Sequence, residues 1–102
     1  MAKSIMHNKQ DRTCYLCILL NGDYATRSGL QEHHVIEGTS GRRLSERWGL
    51  KVYLCIQHHT VGPQAVHNNI NLLRLLQQKA QESFEKIYSH QLWMQVFCRN
   101  YI

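Results

Sequence analysis

Two short motifs constrain the fold of this chain more than any other feature of its sequence: one pairs two cysteines, and the other pairs a cysteine with a histidine. Cys14 and Cys17 form a C-x-x-C pair, and Cys55 and His58 form a C-x-x-H pair further along. The two-residue spacing lets both side chains of a pair face one ion, and the two pairs together supply the Cys3His set typical of structural zinc. A chain of 102 residues buries a modest core, which a bound metal commonly supplements. We therefore expect a structural Zn²⁺ in this protein.

A different use of the same cysteines has to be weighed against zinc binding. A redox-active C-x-x-C pair would open a helix within a thioredoxin-like βαβ unit, and the sequence contains no such unit. The first thirteen residues have no apolar run suited to a signal peptide, and no stretch is long enough to span a membrane. We expect a cytoplasmic protein of a bacterial host cell, without a membrane partner, in which thiols stay reduced and bind metal more readily than they form disulfides. Cys98 lies far from both pairs in the sequence and is expected to be a buried residue that binds no metal.

The periodicity of apolar residues predicts an α+β domain spanning residues 14–102, preceded by a basic arm, residues 1–13, that is flexible or loosely docked. Leu30–Ile36 and Lys51–Leu54 have the composition of two strands, and the basic segment between them, Gly38 to Arg47, is expected to be a loop. Apolar residues spaced by three or four then predict a long helix from about Pro63 to Tyr88, with Val66 and Ile70 on its inner face, and a shorter helix follows. The predicted architecture is a β-hairpin and helix stabilised by zinc, followed by a C-terminal helix.

Four further histidines lie around the two pairs: His33, His34, His59 and His67. Neighbouring side chains on a strand face opposite sides, so His33 and His34 cannot ligate one ion together and need different roles. His59 follows the zinc ligand His58 and faces away from the zinc. A single histidine is usually an ordinary surface or core residue, but four in this arrangement predict a second site that combines metal binding with a general base.

The order of these residues resembles the motif of HNH (ββα-metal) nucleases. HHVI is followed by a strand that ends in LCIQHH and then by a further histidine. The flanking C-x-x-C and C-x-x-H pairs resemble the zinc-bearing treble-clef version of that fold. The segment HHVIEGTSGRRLSERWGLKVYLCIQHHTVGPQAVH and the ending FCRNYI are similar, more narrowly, to phage-borne nucleases related to Ref, the RecA-dependent recombination-enhancement nuclease. The resemblance covers the chain from Cys14 to about Asn69.

The resemblance implies a role for each residue of the motif. It implies hydrolysis of DNA phosphodiester bonds with low sequence specificity, in phage recombination, with a RecA-type filament as a candidate partner. His34 is implied as the general base. The implied ligands of a catalytic divalent metal, Mg²⁺ foremost and Mn²⁺, Ni²⁺ or Zn²⁺ as other candidates, are His33, His59 and His67. The implied ligands of the structural zinc are Cys14, Cys17, Cys55 and His58.

The chain departs from the HNH pattern at two points. The asparagine of the motif would fall about five residues before Cys55, where this chain has Leu50. We expect a backbone carbonyl near Gly49 or Leu50 to fix the tautomer of His34 instead. The gap between His59 and His67 is longer than one helical turn, so Asn68 or Asn69 stays open as an alternative ligand.

The charge of the chain favours a polyanionic partner. The formal net charge is +5 with histidine neutral, and the isoelectric point is about 9.2, which steers a protein toward nucleic acid. Arg42 and Arg43 are candidates to clamp DNA phosphates, with a solvated loop as the other interpretation. Two functions besides a nuclease stay open: a non-catalytic treble-clef module that binds nucleic acid, and a protein whose thiols are its active groups. The oligomeric state is not predicted.

Overall fold

The computed structural model describes residues 3–102 and has an α+β fold in which helices surround a two-stranded antiparallel sheet. No helix within residues 3–102 is both long and apolar enough to cross a membrane. The elements in chain order are α1 (Tyr15–Asn21), β1 (Gln31–His34), α2 (Gly38–Trp48), β2 (Lys51–Leu54), α3 (Ile56–His59), α4 (Ile70–Ile87) and α5 (His90–Phe97), and a short 3-10 turn precedes them at Lys9–Asp11.

The predicted hairpin is confirmed, with β2 at the expected bounds and β1 shorter than the predicted Leu30–Ile36. In the antiparallel register His33 lies opposite Val52, and His34 lies opposite Lys51. All four residues of β2 are buried. Val52 and Leu54 belong to the core, so the alternation of a strand places Lys51 on the other face together with His34.

The predicted loop between the strands is instead an eleven-residue helix, α2. Glycines at positions 38 and 41 suggested a turn, but Gly41 is a buried helical residue whose missing side chain lets α2 approach Ile36. The hydroxyl of Ser45 accepts a hydrogen bond of 3.0 Å from the backbone nitrogen of Ile36. Gly49 ends the helix in the left-handed conformation at φ 71°, which glycine adopts without strain.

The long helix, α4, begins about seven residues later than the predicted start near Pro63. It starts at Ile70, where the side chain of Asn69 accepts hydrogen bonds from the backbone nitrogens of Asn71 and Leu72. Asparagine is among the best helix N-caps, so this cap sets the boundary more strongly than the apolar spacing before it. Pro63, Val66 and His67 therefore lie in turns that precede α4.

Aromatic packing joins α2, α4 and α5 around Phe84, which is fully buried. The rings of Trp48 and Trp93 each lie edge-on to Phe84 at 5.3 Å between centroids, a favourable arrangement for aromatic pairs. Ile70, expected on the inner face of the long helix, is exposed, as is Ile87 near the end of α4. Cys98, which follows α5 in a left-handed conformation, is also exposed, so the expectation that it is buried was wrong.

The segment before Cys14 lies against β2, while Met1 and Ala2 of the expected arm fall outside the described residues. The backbone nitrogen of Ile5 donates to the carbonyl of Gly49 at 2.9 Å. Nδ1 of His7 accepts a hydrogen bond of 3.1 Å from the backbone nitrogen of Tyr53. The described part of the arm thus covers one edge of the hairpin.

Replacement of Gly41 by alanine tests how closely α2 is packed. A Cβ atom there would stand 2.7 Å from the carbonyl oxygen of Ile36, so the helix would have to move. We expect Gly41→Ala to lower the free energy of unfolding by about 1–3 kcal/mol, although alanine is the better helix former by about 1 kcal/mol. Urea unfolding, with the exposed neighbour Ser40→Ala as the control, measures this. A more stable Gly41→Ala protein would contradict the close contact.

Candidate functional site

The C-x-x-C and C-x-x-H pairs meet in one buried cluster. Cys14 caps α1 and Cys55 caps α3, so the second member of each pair lies in the first turn of its helix. Nδ1 of His58 lies 3.4 Å from the sulfur of Cys17, 3.4 Å from that of Cys55 and 3.6 Å from that of Cys14. Zn–S bonds of about 2.3 Å and Zn–N bonds of about 2.0 Å place tetrahedral ligands roughly 3.5–3.8 Å apart. The cluster could therefore hold a structural metal ion.

The protonation of the cluster also suits a metal. Burial, together with the neighbouring thiols of Cys14 and Cys55, raises the pKa of Cys17 to about 12. A cation that binds there has to displace the thiol proton, because the thiolate is the ligand. Burial and the charge of Arg27 lower the pKa of His58, so its ring is neutral and able to ligate at neutral pH.

The second cluster consists of His33, His59 and His67, which come from three different segments of the chain. His33 lies on β1, His59 ends α3, and His67 lies in the turn before α4. One ring nitrogen of each lies within 4.8 Å of the others, and Nε2 of His59 is 3.1 Å from Nε2 of His67. The structure thus brings together the three residues that the resemblance implied as metal ligands.

Two observations show that a divalent cation would fit among these rings. Nε2 of His33 is buried and has no hydrogen-bond partner, an arrangement that is costly unless something else occupies the atom. Nδ1 of His59 lies 2.6 Å from Oε1 of Gln31. Since an amide oxygen only accepts, Nδ1 carries the proton and the lone pair on Nε2 faces the other two rings.

Two rings of the three-histidine cluster, those of His33 and His59, are neutral at physiological pH. Burial first, and then the neighbouring charges of His59, His67 and His34, lower the pKa of His33 to about 3. Burial and His67 also lower the pKa of His59. Neutral imidazoles are the form that binds metal. Gln31, which orients His59, was not predicted from the sequence, because a single polar residue at the start of a strand carries no distinctive signal.

His34 faces a different set of side chains from His33, as the alternation of a strand requires. Its Nε2 lies 3.0 Å from Oε1 of Glu46. Hydrogen bonds from Lys51 and from His34 lower the pKa of Glu46, so this carboxylate is ionised and can only accept. The proton of neutral His34 is therefore on Nε2, and Nδ1 is the atom that can take up a proton.

The expectation that a backbone carbonyl near Gly49 or Leu50 fixes the tautomer of His34 was wrong. Those carbonyls accept hydrogen bonds from the backbone nitrogens of Ile5 and Val35 instead. Glu46 was not predicted as part of the site, because it lies on α2, a segment that was predicted to be a loop. The helical spacing of Leu44, Ser45 and Trp48 was the sequence signal that could have predicted α2.

A cleft of about 670 Å³ connects the three-histidine cluster with His34. His33 and His34, from opposite faces of β1, both line this space. Arg42 and Arg43 are both exposed on α2. Arg42 lines the cleft, and Arg43 lies outside it. The alternative ligands are engaged elsewhere: the amide of Asn68 donates to the carbonyls of Thr60 and Gly62, and Asn69 caps α4.

No family model, no curated protein and no solved structure matches this chain. The geometry of the two clusters and the cleft is therefore the basis for assigning a function.

Titration of the metal-free chain with Zn²⁺ should release at least one proton per ion at pH 7.5, since Cys17 is protonated before binding and a thiolate after it. Calorimetry in buffers of different ionisation enthalpy measures this number. We expect Cys14→Ser to lose tight zinc binding and Cys98→Ser, which changes an exposed cysteine remote from the cluster, to keep it. Zinc uptake without proton release, or equal losses in the two variants, would contradict a thiolate site.

Proposed function

We propose that this chain is a metal-dependent DNA endonuclease of the HNH (ββα-metal) class with low sequence specificity. The observation that carries the proposal is the convergence of His33, His59 and His67 beside a cleft that His34 also lines. One strand thus presents a metal ligand and a histidine with a free Nδ1 at adjacent positions. Hydrolysis of a phosphodiester needs both, because water has to be deprotonated while the phosphate charge is stabilised.

We propose a treble-clef arrangement with Zn²⁺ for the Cys3His cluster. Three thiolates and one imidazole are a typical donor set for structural zinc, and soft sulfur ligands disfavour Mg²⁺ or Ca²⁺. The cluster joins α1 to α3, and α3 also carries His59. Zinc at this place would hold His59 in position for the second site.

His33, His59 and His67 would hold the catalytic ion, with Mg²⁺ as the first candidate and Mn²⁺, Ni²⁺ or Zn²⁺ as others. A divalent ion there supplies Lewis-acid stabilisation of the phosphate oxygens and of the leaving 3′-oxygen. Imidazole ligands suit the transition metals, whereas availability in the cell favours Mg²⁺. The chain contributes three imidazole rings, and Gln31 sets the orientation of the His59 ring.

His34 takes the proton of the attacking water on Nδ1. As the water oxygen forms its bond to phosphorus, the bond from phosphorus to the 3′-oxygen breaks, and solvent supplies the proton that the leaving oxygen needs. The imidazolium that forms on His34 is stabilised by Glu46 at 3.0 Å, with Glu32 further away at 3.5 Å. A histidine side chain is the group that most often accepts a proton in this way in enzymes.

Arg42 lines the cleft together with His34 and the three-histidine cluster, where it can bind the DNA backbone. Its guanidinium can grip a phosphate with two hydrogen bonds, and the net charge of +5 draws the polyanion toward the cleft. The similarity of the sequence to Ref-like nucleases extends the proposal to phage recombination in a bacterial cytoplasm, with a RecA-type filament as partner. Adding such a filament to the cleavage assay tests that part separately.

A plasmid-nicking assay tests the nuclease proposal directly. We expect the zinc-loaded chain to nick supercoiled DNA with Mg²⁺, Mn²⁺ or Ni²⁺, and His34→Ala to reduce the rate by about 10² to 10⁴-fold, the usual contribution of a general base. His90→Ala removes an exposed histidine on α5 that pairs with Glu85, and it should cut at the wild-type rate. DNA binding without nicking under every metal condition would favour the non-catalytic treble-clef module instead.

A comparison of Arg42→Ala with Arg43→Ala tests the DNA-binding surface. The two variants lose the same charge from neighbouring positions of α2, but only Arg42 lines the cleft. We expect Arg42→Ala to weaken DNA binding and to reduce the log–log salt slope by about 0.9 for one lost phosphate contact, and Arg43→Ala to change neither by much. Fluorescence anisotropy over a range of salt concentrations measures both. Equal effects would place the DNA elsewhere.

A further inference from the structure

We propose that Glu46, oriented by Lys51, is the positioning residue that fixes His34 in the tautomer with Nδ1 free. The inference rests on the proposed function, in which Nδ1 of His34 is the base. Glu46 lies outside the residues that resemble the HNH motif, on helix α2, which was predicted to be a loop.

Lys51 determines which way the carboxylate of Glu46 is turned. The side chain of Lys51 is only 4% exposed, and its Nζ lies 2.8 Å from Oε2 of Glu46. A lysine ammonium has three donors and no acceptor, so an oxygen has to face it. With Oε2 held by Lys51, Oε1 is left facing Nε2 of His34 at 3.0 Å.

Glu32 is the other carboxylate in this group, but its contacts are weaker. It lies 3.5 Å from Nε2 of His34 and 3.6 Å from Nζ of Lys51, both longer than an ordinary hydrogen bond of about 2.7–3.2 Å. Glu46 is therefore the acceptor that selects the tautomer. Although Glu32, His34 and Glu46 lie close enough to share a cation, the ammonium of Lys51 already supplies the positive charge there.

The variant Glu46→Gln separates the two contacts that the carboxylate makes. An amide has one oxygen and one NH₂ group, and the buried ammonium of Lys51 takes the oxygen because it cannot accept a hydrogen bond. The NH₂ group then faces Nε2 of His34, which has to become an acceptor. The ring proton moves to Nδ1, and the atom that should accept the water proton is lost.

Nitrogen-15 NMR of the full, zinc-loaded chain with labelled histidine reads this tautomer without any turnover. At pH 8 we expect His34 of the wild-type chain to carry its proton on Nε2 and the Glu46→Gln variant to carry it on Nδ1. Glu32→Gln, a matched loss of one carboxylate from the same group, should keep the proton on Nε2. A wild-type ring protonated on Nδ1, or a Glu46→Gln ring with the wild-type tautomer, would overturn the inference.

Cleavage kinetics then connect the tautomer to the reaction. We expect Glu46→Gln to lower kcat by about 10²-fold, as for a base that is largely lost, with KM for DNA nearly unchanged. In the double variant Glu46→Gln, Lys51→Met the amide oxygen is free to turn toward His34, so both the Nε2 proton and much of kcat should return. An unchanged kcat in Glu46→Gln despite a switched tautomer would overturn the inference.

The NMR and kinetic results also separate this inference from the proposed function. A wild-type chain that shows the expected tautomers but cuts no DNA would refute the nuclease proposal, and with it the catalytic meaning of the contact. A chain that cuts DNA while Glu46→Gln keeps both the wild-type tautomer and the wild-type kcat would refute the role of Glu46 alone.

Discussion

The Cys3His cluster is the constraint on which the rest of the structure depends. It draws α1 and α3 together through four ligand atoms, in a chain whose core is too small to position single-turn elements reliably by apolar burial alone. α3 has only four residues and could not persist as an isolated helix. His58 points into this cluster while the next residue, His59, joins the other histidines. A metal ion held by the first cluster would therefore also fix the position of His59 in the second.

Helix α2 is the second element that shapes the site, and its placement depends on close contact rather than on metal. Gly41 lets it approach the end of β1, and Ser45 hydrogen-bonds to Ile36. The adjacent side of the helix, about 100° around its axis, then brings Glu46 to His34 and Arg42 to the cleft. The proposed general base, the carboxylate beside it and the candidate phosphate ligand are thus carried by two elements that come together at Gly41.

The parts of the site that could be predicted are those with a local signature. The C-x-x-C and C-x-x-H pairs can be recognised from their spacing, and the opposite orientations of His33 and His34 follow from strand alternation. Gln31, Glu46 and Lys51 could not be found in this way, because each matters only through a partner far away in the chain or on an unrecognised helix. Helix α2 and the start of α4 were missed for a related reason: Gly38 and Gly41 fitted a polar loop, and the cap at Asn69 competed with an apolar spacing that continued before it.

By itself the sequence determined the α+β class, the hairpin, the Cys3His ligand set and the four histidines of the second region, since these depend on residue type and on the fixed periods of strand and helix. The tertiary structure alone decided that His67 reaches His33 from a turn, that Glu46 rather than a backbone carbonyl orients His34, and that Arg42 but not Arg43 borders the cleft. These features depend on how elements approach one another in space. That approach is set by packing contacts such as the one between Gly41 and Ile36, which no local pattern encodes.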